Sequence, residues 1–210
     1  MDNLENRIQG HTDSPLTELG VRQAEAVADR LASESFAAIY SSDLGRAVRT
    51  AEIIAAKQPP LRQAQGAQTV VQTTPLLREL NLGVAQGLTG KEFAEQYPEE
   101  YRLWSTSSVT HRPPGAESIE SLTARCREFI EQVIRDHKDG EKLAVVGHSG
   151  TQRGLVCAAL DLPVRHYRSL SVANAALSIV EIGDNPSLRL YNDTSHLRGV
   201  EVTVSDVDAG

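Results

Sequence analysis

The stretch EKLAVVGHSGT, residues 141–151, constrains the chain most. A run of apolar β-formers stops at Gly147-His148-Ser149-Gly150, and the helical pattern SGTQRGLVCAAL follows at once. This reads as a buried strand feeding directly into a helix. The same alternation recurs along the chain. SPLTELGVRQAEAVADRLASE places Val21, Ala24, Ala28 and Leu31 at helical spacing, with Thr17 as N-cap. FAAIYSS predicts a short buried strand over 36–40, and SDLGRAVRTAEIIAAKQ a helix capped by Asp43 or Ser42.

QPPLRQAQGAQ reads as a loop, and TVVQTTPLLREL as extended. Residues 83–116 read as irregular, apart from a short helix over 89–96. The clearest helix is ESIESLTARCREFIEQVIRDHKDG, where Ile119, Leu122, Cys126, Phe129 and Val133 share a face and Gly140 is the expected C-cap. ALSIVEI and SLRLYN, joined by GDNP, read as a hairpin.

Strands alternating with helices predict an α/β fold, a three-layer sandwich with a mostly parallel central sheet flanked by helices. At 210 residues the chain suits one core. A single domain is expected over 1–198, with a lid insertion at about 83–116 and an acidic tail over 199–210.

Composition excludes several functions. The net charge of −7 argues against a general nucleic-acid binder, and the 4% aromatic content argues against stacking platforms. No apolar run approaches the roughly 20 residues of a membrane span. MDNLENRIQG has no apolar core of a secretory signal, and the protein reads as cytoplasmic. Cys126 and Cys157 read as reduced, buried thiols. No cluster has metal-ligand spacing and there is no phosphate-binding glycine loop of the Walker type, so no metal or other cofactor is expected.

Ligands of open α/β sheets bind beyond the carboxyl ends of the strands, where His148 stands. The helix that follows it would aim its N-terminal amides at the same place, which suits an anion. His148 is therefore either a functional group or a histidine hydrogen-bonded at a turn. Ser149 raises a serine-hydrolase alternative, but Gly147-His148-Ser149-Gly150-Thr151 has its last glycine one place early for a nucleophile elbow. Such a triad also needs an acid and a histidine on further strands after the serine. Only about sixty residues follow it, and Asp193 and His196 are too close together in sequence for separate loops. Arg46, one turn into its helix, could grip an anion bidentately or simply be solvated. Glu79, in LLRELNLGVAQGLT, could be a general acid raised by apolar surroundings, or a surface carboxylate paired with Arg78.

Taken in order, RIQGHTDSPLTELGVRQAEAVADRL, IYSSDLGRAVRTAEII, LLRELNLGVAQGLT, RPPGAESIESLTAR and VVGHSG closely resemble the histidine phosphatase superfamily, in its phosphoglycerate mutase-like branch. The resemblance runs from about Asn3 to Leu197. It implies a phosphoglycerate mutase-like fold and the following roles. Arg46 would be a phosphate-clamping arginine, Glu79 the proton donor to the leaving group, and His148 the second histidine, stabilising the phosphoryl transition state. Asn3 would contact phosphate, and Gln9 and Gly10 would line the pocket. Ser149 would be a neighbour in the phosphate site and not a nucleophile.

The resemblance also implies a nucleophilic histidine in an Arg-His-Gly motif at the end of a first, central strand. That motif does not occur in these residues. The expectation is that the first central strand is missing from these 210 residues, that the native protein has an additional N-terminal strand, and that the 210 residues alone are nearly inert. His11 is the only other histidine expected near the pocket, as a rim residue. Solvated or structural roles are expected for His111, His137, His166 and His196.

The implied reaction is hydrolysis of a phosphomonoester through a phosphohistidine. A short lid favours this over mutase-type phosphoryl transfer, and a phosphate-ligand-binding homologue without turnover is the other alternative. The lid residues Tyr97, Tyr101, Arg102, Trp104, His111 and Arg112 would suit a small acidic phosphorylated metabolite. No nucleic-acid or membrane partner is expected, and a homodimer stays open.

Overall fold

The computed structural model describes residues 7–59, 70–107 and 111–200. In chain order its regular elements are α1 (Glu18–Leu31), β1 (Ala38–Ser42), α2 (Gly45–Ala56), β2 (Val71–Thr74), α3 (Gly90–Gln96), α4 (Pro98–Ser107), α5 (Ile119–Asp136), β3 (Leu143–Val146), α6 (Ser149–Ala159), β4 (Leu177–Glu181) and β5 (Ser187–Asp193). Most of the loop QPPLRQAQGAQ, and the tail from 201, lie outside the described residues.

The sheet order is β2-β1-β3, with all pairs parallel. Ile39 stands opposite both Val71 and Ala144. Because side chains alternate along a strand, β1 feeds two cores. Ile39 packs with Val27 and Ala28 of α1 and with Ala51, Ile54 and Ala55 of α2. Ala38 and Tyr40 point the other way, onto Phe129 and Val133 of α5. Cys126 and Leu122 continue the α5 stripe onto Cys157 and Ala158 of α6. This is the expected α/β arrangement of helix, sheet and helix layers. All five predicted face residues of α5 are buried.

β4 and β5 form a separate antiparallel hairpin. Among the described residues β3 pairs only with β1, and β4 only with β5. Val145 of β3 and Ile179 of β4 are 39% and 46% exposed, high for apolar residues in mid-strand. Gln152 of α6 still reaches β4, with its amide donating to Ser178 Oγ at 2.5 Å.

Three boundaries differ from expectation. β1 begins and ends two residues later than 36–40. Ser42 is a candidate helix cap in sequence, but Ser41 and Ser42 are both strand residues, fully buried and paired with Thr73 and Thr74. The cap of α2 is Leu44, because Asp43 is drawn away to Arg78. α5 ends at Asp136, before Gly140, because His137 turns extended. Its ring lies 2.9 Å from the Tyr40 hydroxyl on one side and 2.9 Å from Glu141 on the other.

The segment 83–116 holds a second helix, α4, where the sequence pattern predicts irregular chain. Its aromatics form a small core. Tyr101 and Trp104 pack edge-on to buried Phe93, at 5.8 Å between centroids in each case. This cluster joins Ile8, Leu82 and Ala85.

Candidate active site

The carboxyl ends of the three parallel strands carry the site. β1 runs into Asp43 and then Arg46, β2 into Glu79, and β3 into His148. A parallel sheet sends all its strand ends to one edge, so residues far apart in sequence converge.

Glu79 is held at both ends. One carboxylate oxygen, Oε2, accepts from Ser149 Oγ at 3.1 Å and from the Gly150 amide at 3.2 Å. The other, Oε1, accepts from its neighbour Leu80 N at 2.7 Å. The backbone carbonyl of Glu79 accepts from Arg125 at 3.0 Å and sits 2.8 Å from His11 Nε2. The expected apolar setting is thus replaced by a cradle of donors, and Arg78 pairs elsewhere. Gly150 has a steric role here. A Cβ at that position would lie 2.1 Å from Glu79 Oε1 and 2.8 Å from the Tyr167 hydroxyl.

His148 is the N-cap residue of α6, with extended backbone and no capping bond from its own side chain. Its ring nitrogen Nε2 is buried and makes no hydrogen bond among the described residues. Burial holds its pKa well below the usual imidazole value of 6.5, and the nearby positive charges of Arg46, Arg125 and His11 push the same way. The ring is therefore neutral at pH 7. It is placed to receive an anion, whose charge would favour the imidazolium.

Arg46 donates to the carbonyls of Gly10, at 2.9 Å, and Thr12, at 2.8 Å. It is not a freely solvated surface arginine. Gly10 has a left-handed backbone, φ +53°, and a Cβ there would run into the Gln86 side chain. Gln9 closes the same loop, its carbonyl accepting from Thr12 N at 2.9 Å. Asn3 lies outside the described residues. Ser149 donates to Glu79 Oε2, which makes it part of the carboxylate's cradle and not the partner of a histidine base.

Two residues give no warning in the sequence. Arg125 on α5 pairs bidentately with Glu117 and donates to the carbonyls of Leu76 and Glu79. Asp43 receives Arg78 at 2.6 and 2.7 Å, which holds its carboxyl below the usual range. His11, expected at the rim, has its ring tied to Glu79 and its amide to Gln86. Among the other histidines, His111 pairs with Glu100, His137 with Tyr40 and Glu141, and His196 Nε2 donates to the Ala175 carbonyl. Between 83 and 116, Arg102 is engaged by Glu99, and Tyr101 and Trp104 pack with each other and with Phe93. Among the described residues, no group of three His, Cys, Asp or Glu side chains could hold a metal ion. None of the helices there is long and apolar enough to cross a membrane.

A neutral histidine, an arginine and a carboxylate thus converge at one edge of a parallel sheet, an arrangement that suits an anionic ligand. The sequence matches the histidine phosphatase superfamily (branch 1) over residues 1–194, and the chain belongs to that family. It is 36% identical over 197 residues to phosphoglycerate mutase-like protein 4 of Arabidopsis thaliana, covering 93% of this chain and 81% of that protein. It is also 36% identical over 202 residues to a metal-independent phosphoserine phosphatase of the same plant, covering 94% and 79%. Among solved structures it is similar to Bacillus stearothermophilus YhfR, with TM-score 0.82, 29% identity and 93% of both chains covered. A mycobacterial glucosyl-3-phosphoglycerate phosphatase complexed with VO3 gives TM-score 0.79 and 30% identity, over 92% of this chain and 94% of that one.

Proposed function

We propose that this chain provides most of a phosphomonoesterase site that works through a phosphohistidine on a small phosphorylated metabolite. The observation that carries the reading is the convergence of Glu79, His148 and the Arg46 loop at one edge of the sheet. In this scheme a histidine nitrogen attacks phosphorus and the bond to the leaving oxygen breaks. Glu79 gives that oxygen its proton. A water then attacks phosphorus of the phosphohistidine, and the P–N bond breaks to return the free histidine and release inorganic phosphate. The Glu79 carboxylate takes a proton from the water. Arg46, Asn3 and His148 bind the equatorial oxygens, where charge accumulates. Gln9, Gly10 and Ser149 shape the same pocket.

These 210 residues contain no Arg-His-Gly, so in this scheme the attacking histidine is not among the assigned residues. His148 is assigned to the phosphoryl oxygens, and His11 Nε2 is occupied by the Glu79 carbonyl. Val145 and Ile179 are exposed in mid-strand, on strands that each pair on one side only among the described residues, which supports a site for a further strand bearing that motif. The same facts favour a second reading, a protein that binds phosphorylated ligands without turnover. Mutase-type transfer is kept as a variant of the first, because a phosphoglycerate mutase-like protein is among the relatives.

The test is p-nitrophenyl phosphate hydrolysis by residues 1–210, beside the same chain extended by an N-terminal strand ending in Arg-His-Gly. His148→Ala is the control in both. Turnover only in the extended form supports the phosphohistidine scheme. Turnover by 1–210 that needs His148 means that the nucleophile lies within it. Phosphate binding without turnover in either form favours the second reading.

A further inference from the structure

We propose that His11 is a positioning residue that couples the phosphate clamp to the proton donor; the proposal rests on the reading of Glu79 as that donor. His11 lies between Gly10 and Thr12, whose carbonyls both accept from the Arg46 guanidinium. Its own ring Nε2 stands 2.8 Å from the Glu79 carbonyl oxygen. A carbonyl can only accept, so Nε2 carries the hydrogen. Its backbone amide donates to Gln86 Oε1 at 2.6 Å, which anchors the loop to the base of the lid. One three-residue segment therefore touches the clamp arginine through two carbonyls and the acid's backbone through one ring.

Glu79 is restrained from several other elements as well. Arg125 shares its carbonyl, and Ser149 and Gly150 hold its carboxylate. Removing the His11 bond frees one end of the residue from the loop while leaving the other restraints. An anion that draws Arg46 forward must pull on Gly10 and Thr12, and the His11 ring passes that displacement to Glu79. Proton donors are sensitive to such small displacements because transfer needs hydrogen-bond reach.

The experiment compares His11→Leu with His11→Gln, whose amide keeps an N–H donor, in whichever form of the protein turns over. Phenyl phosphate and p-nitrophenyl phosphate differ in how much their leaving oxygen needs a proton. His11→Leu is expected to lower kcat on phenyl phosphate about tenfold more than on p-nitrophenyl phosphate, with KM changed by less than about threefold. His11→Gln is expected to recover most of that loss. Equal losses on both substrates, or no recovery with Gln, would overturn the proposal. Glu79→Gln is run alongside. If it lacks the same leaving-group dependence, it is the proton-donor reading that has failed.

A second measurement needs no turnover. In 1–210, nitrogen NMR of the histidine rings should find His11 protonated at Nε2. Titration with inorganic phosphate should move both the His11 signals and the Glu79 carboxyl carbon. In His11→Leu the Glu79 response should shrink markedly, to the part that bound phosphate exerts directly on the carboxylate, while phosphate still binds. A His11 ring protonated only at Nδ1, or an undiminished Glu79 response in the variant, counts against the coupling.

Discussion

Two helices, α2 and α6, start at the same edge of the sheet and solve the same problem in the same way. Each follows a parallel strand, and neither is capped by the side chain of its own N-cap residue, Leu44 or His148. Each instead takes a carboxylate from a distant segment. Asp13 places both oxygens on Gly45 N, at 2.9 and 3.0 Å, and Glu79 places one on Gly150 N. Unsatisfied amides and the positive end of the helix dipole draw a carboxylate in both cases. The difference is in what else each acid touches. Asp13 is exposed and caps a helix. Glu79 is half-buried, is fixed at its backbone by Arg125 and His11, and shares the α6 terminus with His148. A common device for ending a helix becomes a candidate acid only where a second layer of donors fixes it beside the buried ring of His148.

The strongest attempt to break this comparison is Glu79→Gln. The amide keeps the shape and can still accept from Gly150, but it has no proton to give. In the form that turns over, kcat on phenyl phosphate should fall by roughly 10²- to 10⁴-fold, the usual size of general acid–base catalysis. The amide nitrogen must face one of the donors that the carboxylate accepts from, so a stability loss of about 1–3 kcal/mol accompanies the change and kcat is read on the folded fraction. Retained activity would reduce Glu79 to a second Asp13.

The two N-cap residues differ in titration. The folded pKa of His148 is depressed below its ordinary 6.5, whereas Leu44 has nothing to titrate. Below pH 6.5 the unfolded chain binds a proton that the folded chain refuses, so stability falls with pH. The slope is at most about 1.4 kcal/mol per pH unit from this one group. The carboxylates with depressed pKa, such as Asp43 with its ordinary value of 3.8, lose their stabilising charge only at lower pH. Melting curves at pH 6.5 and about 5.5 should therefore separate, and His148→Gln should bring them together.

The glycines sharpen the contrast. A Cβ at Gly45 would meet Asp13 Oδ2 at 3.0 Å, and one at Gly150 would meet Glu79 Oε1 at 2.1 Å. At Gly45 the atom met is the end of an exposed side chain, whereas at Gly150 the held Glu79 carboxylate and the buried Tyr167 hydroxyl, 2.8 Å away, must both give. Gly150→Ala must push the carboxylate out of its cradle, and kcat should drop about tenfold or more with a stability loss of about 1–3 kcal/mol. Gly45→Ala, read in the same assay and the same melt, should leave kcat within about twofold.

What the sequence discloses follows the same division. Elements whose signals are local can be read directly. Thr17 caps α1 by accepting from Gly20 N, the α5 stripe is buried at every predicted position, and the strand–turn–helix around His148 stands where expected. The position of Glu79 beyond β2 is also legible, but its cradle is not, because its donors come from residues 11, 80, 125, 149 and 150. Arg125 gives no signal, since an arginine on the polar side of an amphipathic helix normally faces water. Helix α4 has one: Pro98 at its first position, followed by Glu99 and Glu100, is a helix start that the aromatic and polar residues after it obscure. Ser41 and Ser42 mislead because their polarity suits the start of a helix more than a buried strand, while parallel pairing to β2 buries them.

The smallest expected effect is the control that gives the comparison its meaning. Asp13→Ala removes the carboxylate from the α2 terminus and leaves Gly45 N to water. Loss of a cap at an exposed helix end costs about 1 kcal/mol, and the charge that complements the dipole accounts for a few tenths of it. A melt should register that loss. Arg46 is held by the carbonyls of Gly10 and Thr12 and not by Asp13, so the geometry of the clamp should persist and kcat should stay within about twofold. A large fall in kcat at unchanged stability would mean that Asp13 orders the loop as His11 does. The two acids at this sheet edge would then belong to one device, and the distinction between capping and chemistry drawn from their surroundings would not hold.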